Sequence, residues 1–242
     1  MAEWFASVKA ELELNFIKAD RWEYLVTGLG NTLLLTLVAL IVGVLIGIVV
    51  AAVRSTYDKT AETARPSFGR RVFGFFNGLC KVYLTVVRGT PVVAQVMIFF
   101  YVIFATAKDG TMVAALAFGI NSGAYVAEII RGGIMSIDNG QFEAGRSLGF
   151  NYLQTMRYII VPQTIKNVLP SLMNEFIALL KETSVAGYVA VQDLTKAGDI
   201  IRSRTYSAFM PLIAVALIYL IVVMFFTWLV GKLERRLRAS DH

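Results

Sequence analysis

Polar side chains stand in two strongly apolar runs: Asn121 and Ser122 in one, and Asn174, Glu175, Lys181 and Glu182 in the other. At a helical spacing, Asn174, Glu175, Ala178, Lys181, Glu182 and Val185 fall within about a third of the circumference. That is a polar stripe with small residues between. A stripe carrying both signs suits the carboxylate and ammonium groups of a zwitterion, and ionisable residues at membrane depth are functional candidates by default. The alternative use is structural, with Lys181 and the glutamates neutralising one another or snorkelling. A second polar concentration, "QFEAGRSLGFNYLQTMRYIIVPQ" at 141–163, sets Glu143, Arg146 and Arg157, with Gly145 and Gly149, between two long hydrophobic runs.

Other chemistries lack their residues. Cys80 is the single cysteine and His242 the single histidine, so no cysteine and histidine cluster exists for zinc or haem, and no metal site is expected. No H-E-x-x-H, no G-x-S-x-G and no usable histidine base argue against hydrolysis inside the membrane. No G-x-x-x-x-G-K-[ST] phosphate loop occurs either, so ATP is not bound by that route. No cofactor is expected in this chain.

The elements that position these residues are set by composition. Of 242 residues, 57% are hydrophobic and 17% charged, against roughly 45–50% and about 25% in an average soluble domain. The solvent implied is lipid. The net charge of +6 then reads as basic cytoplasmic loops and not as a nucleic-acid surface.

Gly28 to Val53 carries no charge over a length sufficient to cross a bilayer about 30 Å thick. It is too long, and follows an acidic segment too late, for a signal peptide, so it is expected to remain in the mature protein. Ahead of it, Trp4, Phe5, Val8, Leu12 and Phe16 recur at helical spacing, which predicts an interfacial helix within residues 1–27. Further spans are expected at about 91–107, 112–130, 167–190 and 209–230. Thr90 and Pro91 can open the second as N-cap and first helical residue, and Asp109-Gly110 makes a tight turn into the third.

Val72 to Val87 is different, because Gly74, Asn77, Gly78, Lys81, Thr85 and Arg88 form one polar or small stripe, the pattern of a helix lying in the interface. With five spans and the N-terminus outside, the basic residues of 54–90 (Arg54, Lys59, Arg65, Arg70, Arg71, Lys81, Arg88), those of 131–166 and the tail after Lys232 all lie in the cytoplasm. That is the arrangement the positive-inside rule favours. The fold class expected is all-α: a polytopic membrane protein of five transmembrane helices, N-terminus outside and C-terminus cytoplasmic.

Within the cytoplasmic loop 135–163, Asp138 or Asn139 can cap a helix running to about Leu148, and Gly149 suits the left-handed residue that ends one. A second helix can start near Asn151 and is expected to stop by Pro162. Phe142, Gly145 and Leu148 share a face, as do Leu153, Met156 and Ile160. Pattern alone leaves two uses open: an amphipathic loop packed on the protein's own helix ends, or a docking element.

"EAGRSLGFNYLQTMRYIIVPQ" resembles the coupling-loop motif of permease subunits of ATP-binding cassette importers: Glu-Ala-Ala, three residues, Gly, nine residues, Ile, one residue, Leu-Pro. Glu143, Ala144, Gly149, Ile159 and Pro162 fall at the motif spacing. Gly145 replaces the second Ala, and Val161 replaces Leu. "VVRGTPVVAQ" (86–95), "NSGAYVAEIIRGGI" (121–134), "NEFIALLKETS" (174–184) and "DLTKAGDIIRSRTY" (193–206) are similar to the polar amino acid uptake branch of that family.

The resemblance covers about residues 20–238 and implies a transmembrane permease domain over 28–238 with five spans. It implies that Glu143, Ala144, Gly145, Gly149, Ile159 and Pro162 couple the chain to a cytoplasmic ATPase dimer that binds ATP and magnesium. It further implies a second permease subunit, identical or similar, an extracytoplasmic amino-acid-binding protein, and a multi-pass location in a bacterial plasma membrane. Asn121, Ser122, Asn174, Glu175, Lys181 and Glu182 would then line the substrate path, and this chain would be a transport subunit and not an enzyme.

The charges of the outer loop 191–208 (Asp193, Lys196, Asp199, Arg202, Arg204) can either help dock the binding protein or serve as ordinary solvated residues. Ala115, Gly119, Gly123 and Ala127, with Gly43 and Gly47, form small-residue ridges that let helices approach closely, within one subunit or across two. Glu128 and Arg131 are expected to pair. The competing class is a secondary transporter or channel working without an ATPase. It should show inverted repeats with paired interrupted helices, which five unequal spans and one helix pair do not display.

Overall fold

The computed structural model describes residues 1–60 and 67–239, all of whose regular elements are helical. Arg65 and His242 lie outside the described residues. The order is α1 (Ala2–Leu12), α2 (Trp22–Thr60), α3 (Phe68–Gly89), α4 (Val92–Ile98), α5 (Gly110–Met135), α6 (Asn139–Ser147), α7 (Tyr152–Thr155), α8 (Val161–Glu182), α9 (Leu194–Thr205) and α10 (Phe209–Ala239).

The long helices overrun the expected spans. Helix α2 begins at Trp22 and not Gly28, and ends at Thr60 and not Val53. Hydropathy marks only the part that prefers lipid, whereas the backbone stays helical until something stops it. Glu23 in the first turn and Lys59 in the last suit the helix dipole. Helix α5 likewise starts at Gly110, with Asp109 Oδ1 accepting the Thr111 N–H at 2.9 Å.

Helices α2, α5 and α10 are each long and apolar enough to cross a membrane. Of their most apolar stretches, 67% of α5 is buried but only 33% of α2 and 11% of α10. Thus α5 is largely enclosed by protein, while α10 shows Leu217, Leu220, Ile221, Met224 and Trp228 outward on one apolar face.

Helix α4 starts one residue later than expected and continues as a wider turn, Phe99–Ile103, ending at Ile103 instead of Ala107. Helix α8 is diluted by Lys166, Asn167, Asn174 and Glu175. It tightens after Glu182 into a 3-10 turn, Thr183–Val189, closed by Ala190 at φ 61°.

Two compact units share these helices. The first comprises Met1–Val38, Val92–Phe118 and Ile177–Leu229. Its apolar centre is Leu25, Leu194, Ala197, Ile201 and Val215. Thr32 Oγ1 donates to the Gly28 carbonyl at 2.9 Å and accepts the Leu194 N–H at 3.0 Å. Thr36 Oγ1 lies 3.1 Å from Thr183 Oγ1. A Cβ on Gly28 would meet the Asp193 carbonyl at 2.8 Å, so helix and loop touch backbone to backbone. The segment after α1 is tied down by Asn15, which is buried and accepts from Thr205 Oγ1 at 2.8 Å, and by Ser207 Oγ donating to Glu11 at 3.0 Å.

The region 191–208, expected as a loop, is mostly helix. Asp193 caps α9 by accepting the Thr195 and Lys196 N–H groups at 3.1 and 3.0 Å. Leu194, Ala197, Gly198 and Ile201 are buried at helical spacing, a face concealed in the sequence by the charges between them. Burial pushes the Asp193 carboxyl up, against the pull of those N–H donors. The Arg202 guanidinium, then Lys196, holds Asp199 below the usual carboxylate range.

The second unit comprises Ala39–Pro91, Gly119–Phe176 and Val230–His242. Here the small-residue ridges interlock. A Cβ on Gly43 would lie 3.1 Å from Ser122 Cβ, one on Gly47 2.4 Å from Val126, and one on Gly119 2.7 Å from Val42. The close approach of α2 and α5 therefore occurs inside one subunit. Helix α3 packs Leu84 against Val50, Ala124 and Ala127, while Phe75, Phe76, Leu79, Val82 and Val86 remain exposed. Its polar stripe faces protein only at its start: Asn77 is buried and accepts from Arg54 Nη1 at 3.0 Å, whereas Lys81, Thr85 and Arg88 are exposed.

Candidate functional site

The 141–163 stretch forms two helical arms joined by a corner that hydrogen bonds hold almost completely. Asp138 caps α6, its Oδ1 accepting the Gly140 N–H at 2.6 Å. At the other end Gly149 adopts φ 78°, its N–H reaching the Arg146 carbonyl at 2.9 Å, while the Phe150 N–H reaches the Gly145 carbonyl at 3.0 Å. This paired closure is a Schellman motif, and it requires the left-handed residue that glycine supplies without strain. Asn151 then opens α7 with a reciprocal capping box: its Oδ1 accepts the Gln154 N–H at 2.9 Å, and Gln154 Oε1 accepts the Asn151 N–H at 2.9 Å.

The second arm does not stop at Pro162. Between Met156 and Ile160 the backbone widens to a π turn, with the Val161 N–H bonded to the Met156 carbonyl, and α8 then runs on through Pro162 to Glu182. Widening shifts the carbonyls that the proline ring would otherwise strike and removes the need for its missing N–H. Pro170 is likewise carried inside α8.

Phe142 packs with Met156 and Ile159 on Ile134, Ile137 and Ile160, which fixes both arms to the end of α5. Lys59 at the end of α2 donates to Asn139 Oδ1 at 2.7 Å and lies over the Phe142 ring at 4.7 Å. Gly145 is buried because α7 crosses it; a Cβ there would stand 2.6 Å from Thr155 Oγ1 and 2.7 Å from Thr155 Cγ2. Beside this crossing lies a cavity of about 560 Å³ lined by Lys59, Asn139, Glu143, Arg146, Tyr152 and Thr155.

Of the residues singled out in the sequence, Glu143, Ala144, Gly149 and Pro162 are exposed, Ile159 is half-buried and Gly145 is buried. The carboxylate of Glu143 forms no ion pair among the described residues. The expected inward faces hold only in part. Leu148 is 69% and Leu153 76% exposed, at the corner and just after it, so two leucines project from the tip. The element is closed at its corner by hydrogen bonds, anchored at its base, and carries two exposed leucines at its end.

The other candidates divide between the two units. In the second, Ser122 is fully buried and its Oγ donates to Glu175 Oε1 at 2.8 Å, joining α5 to α8; Asn121 is buried beside it and Asn174 is exposed. In the first, Lys181 is exposed on a cavity of about 280 Å³ with Ser184, Thr195 and Tyr219, and Glu182 is half-buried. Val185 leaves the stripe, because the chain past Glu182 winds at about three residues per turn and no longer at 3.6.

Sequence reasoning missed one constellation. The expected Glu128 and Arg131 pair is present at 3.1 Å, but Arg131 also reaches Asp58 at 3.5 Å, and Arg88 reaches Glu128 at 3.9 Å. Arg54 lies 4.0 Å from Asp58, four residues on along α2. That i, i+4 pair of opposite sign was the available signal.

Residues 43–239 match the family model described as binding-protein-dependent transport system inner membrane component. Over 184 residues the chain is 37% identical to the putative glutamine transport system permease protein GlnP of Rickettsia bellii, covering 70% of this chain and 84% of that one. It is 37% identical over 174 residues to the glutamine transport system permease protein GlnP of Escherichia coli, with 69% and 80% covered. Against the arginine transport system permease protein ArtQ of Bacillus subtilis it is 35% identical over 185 residues, with 70% and 84% covered. Among solved structures, an amino acid ABC transporter crystallised with histidines is 38% identical with a TM-score of 0.77, covering 88% of this chain and 94% of that one. The MetNI methionine ABC transporter, at 19% identity and a TM-score of 0.75, shares the fold.

Proposed function

This chain belongs to the family of inner-membrane components of binding-protein-dependent transport systems, and from that membership we propose that it is the permease subunit of an ATP-driven amino acid importer. The observation that carries the coupling half of this reading is the anchored helix pair with its exposed Leu148, Leu153 and Glu143. A motor subunit can only transmit force through a lever that does not bend, and both ends of this corner are closed by hydrogen bonds. ATP and magnesium belong to the partner ATPase dimer, which grips the exposed Glu143, Ala144 and Gly149, while Gly145, Ile159 and Pro162 take part in coupling from the base of the pair.

The chain crosses the bilayer five times, through α2, α4 with its wide turn, α5, α8 and α10, with α1 and α3 in the interface. The N-terminus is outside and the helix pair is in the cytoplasm, in a bacterial inner membrane. Support comes from the basic residues clustered on α3, on the helix pair and after Lys232. A second permease subunit completes the pathway, and an amino-acid-binding protein docks on the outer side, where α9 presents Lys196, Asp199 and Arg202. In the second unit Ser122, Glu175, Asn121 and Asn174 offer donors and a carboxylate to a zwitterion passing at membrane depth. In the first, Lys181 and Glu182 carry charges of both signs.

The decisive experiment is co-purification of this chain with the ATPase and binding protein encoded beside it, followed by ATPase assays over a panel of amino acids. Hydrolysis stimulated by one or a few amino acids, only with the binding protein present, supports the reading. Absence of any co-purifying ATPase, or hydrolysis indifferent to every amino acid, overturns it.

A further inference from the structure

At the C-terminal end of α3 a pocket of about 440 Å³ is walled by Arg54, Lys81, Thr85 and Arg88, with Glu128 as its one carboxylate. Glu128 is already shared by Arg131 and Arg88, and Asp58, just beyond, is shared by Arg131 and Arg54. The cations Arg54, Lys81, Arg88 and Arg131 thus outnumber the acids they meet. Lys81 is exposed and has no acidic partner among the described residues. Arg54 Nε is buried with no hydrogen-bond partner among them. A pocket with surplus positive charge and the Thr85 hydroxyl is complementary to an oxyanion.

The surroundings say which oxyanion. Along α3, Phe75, Leu79, Val82 and Val86 form an exposed stripe at i, i+4, i+7 and i+11, with exposures of 64, 50, 61 and 55%. A helix with such a face lies in the membrane interface, its apolar stripe among acyl chains and its polar side at headgroup depth. A soluble anion has no use for that stripe, whereas a phospholipid fills both parts.

We propose that the Arg54, Lys81, Thr85 and Arg88 pocket binds the phosphodiester headgroup of an anionic phospholipid whose acyl chains lie along α3. A charge at the membrane surface contributes about 1 kcal/mol per Lys or Arg, so loss of Lys81 alone weakens retention about fivefold.

The test uses the full chain, purified and delipidated in detergent, then offered mixed micelles of phosphatidylglycerol or phosphatidylcholine, with bound lipid counted by native mass spectrometry. Selective retention of phosphatidylglycerol, about fivefold weaker in Lys81→Gln and restored in Lys81→Arg, supports the proposal. Equal retention of the two lipids, or wild-type retention by Lys81→Gln, overturns it. Displacement of the lipid by excess inorganic phosphate also overturns it, since a soluble anion would then be the occupant. So does efficient disulfide formation between two Val82→Cys copies in native membranes, which would make the stripe a contact with a second copy.

Discussion

Gly145 of α6 and Thr155 of α7 lie so close that a Cβ on the glycine would stand 2.6 Å from the threonine hydroxyl. The family motif carries alanine at this position, so the glycine answers to a threonine ten residues further on. The pair sets how tightly the two arms fold on each other.

Gly145→Ala is expected to splay the arms, with an overpacking cost of about 1–3 kcal/mol. Substrate-stimulated ATP hydrolysis in the reconstituted complex should fall severalfold and recover in Gly145→Ala with Thr155→Ala. Failure of the double variant to recover would mean that Gly145 acts by something other than contact with Thr155.

Gly149 holds φ 78° at the corner, where a β-carbon costs about 1–2 kcal/mol. Gly149→Asp should leave the protein in the membrane but abolish stimulated hydrolysis, and Gly149→Asn, better suited to left-handed backbone, should be milder. Glu143→Lys is expected to match Gly149→Asp for a different reason, charge reversal on an exposed face. Normal stimulation in the Glu143→Lys and Gly149→Asp variants would remove the corner from the coupling machinery.

Ser122 donates to Glu175 from a fully buried position. Ser122→Ala removes that donor, and uptake in proteoliposomes should drop about tenfold, equivalent to roughly 1.4 kcal/mol, while ATPase co-purification is unchanged. Lys181→Ala and Asn174→Ala should behave likewise. Unaltered uptake in all three would leave these side chains a structural use only.

Asp199 supplies a pH signature on α9. Its carboxyl is held low by Arg202 and then Lys196, so the folded state releases the proton more readily than the unfolded chain. The pairing therefore stabilises above the unfolded value of about 3.9 and is lost as pH falls through the lower folded value. Between about pH 5 and 3, Tm should fall slightly less in Asp199→Asn than in the wild type. The effect is small because the group is solvent-screened. Identical slopes would show that the ion pairs add nothing.

Much of this architecture was legible in the residues. Charge-free runs predicted the apolar helices, Asp138, Gly149 and Asn151 predicted the bent pair, and Glu128 with Arg131 predicted an ion pair, because all of these depend on near neighbours in the chain. Pro162 misled, since a helix can absorb a proline by widening one turn, and nothing local announces that it will. Helix α9 was hidden because its buried face, Leu194, Ala197 and Ile201, is interleaved with charges that dominated the composition.

By itself, then, the sequence determined the solvent, the helices with their caps and the corner of the helix pair, since hydropathy, capping and backbone conformation act over one to four residues. Only the tertiary structure decided that Gly145 must be glycine, that Ser122 meets Glu175, that Thr32 serves the Leu194 N–H, and that Arg54, Asp58, Glu128 and Arg131 form one network. Those facts depend on which side chains packing brings within a few ångströms across separate helices. Steric exclusion and hydrogen bonding at that range leave no trace in the order of the residues.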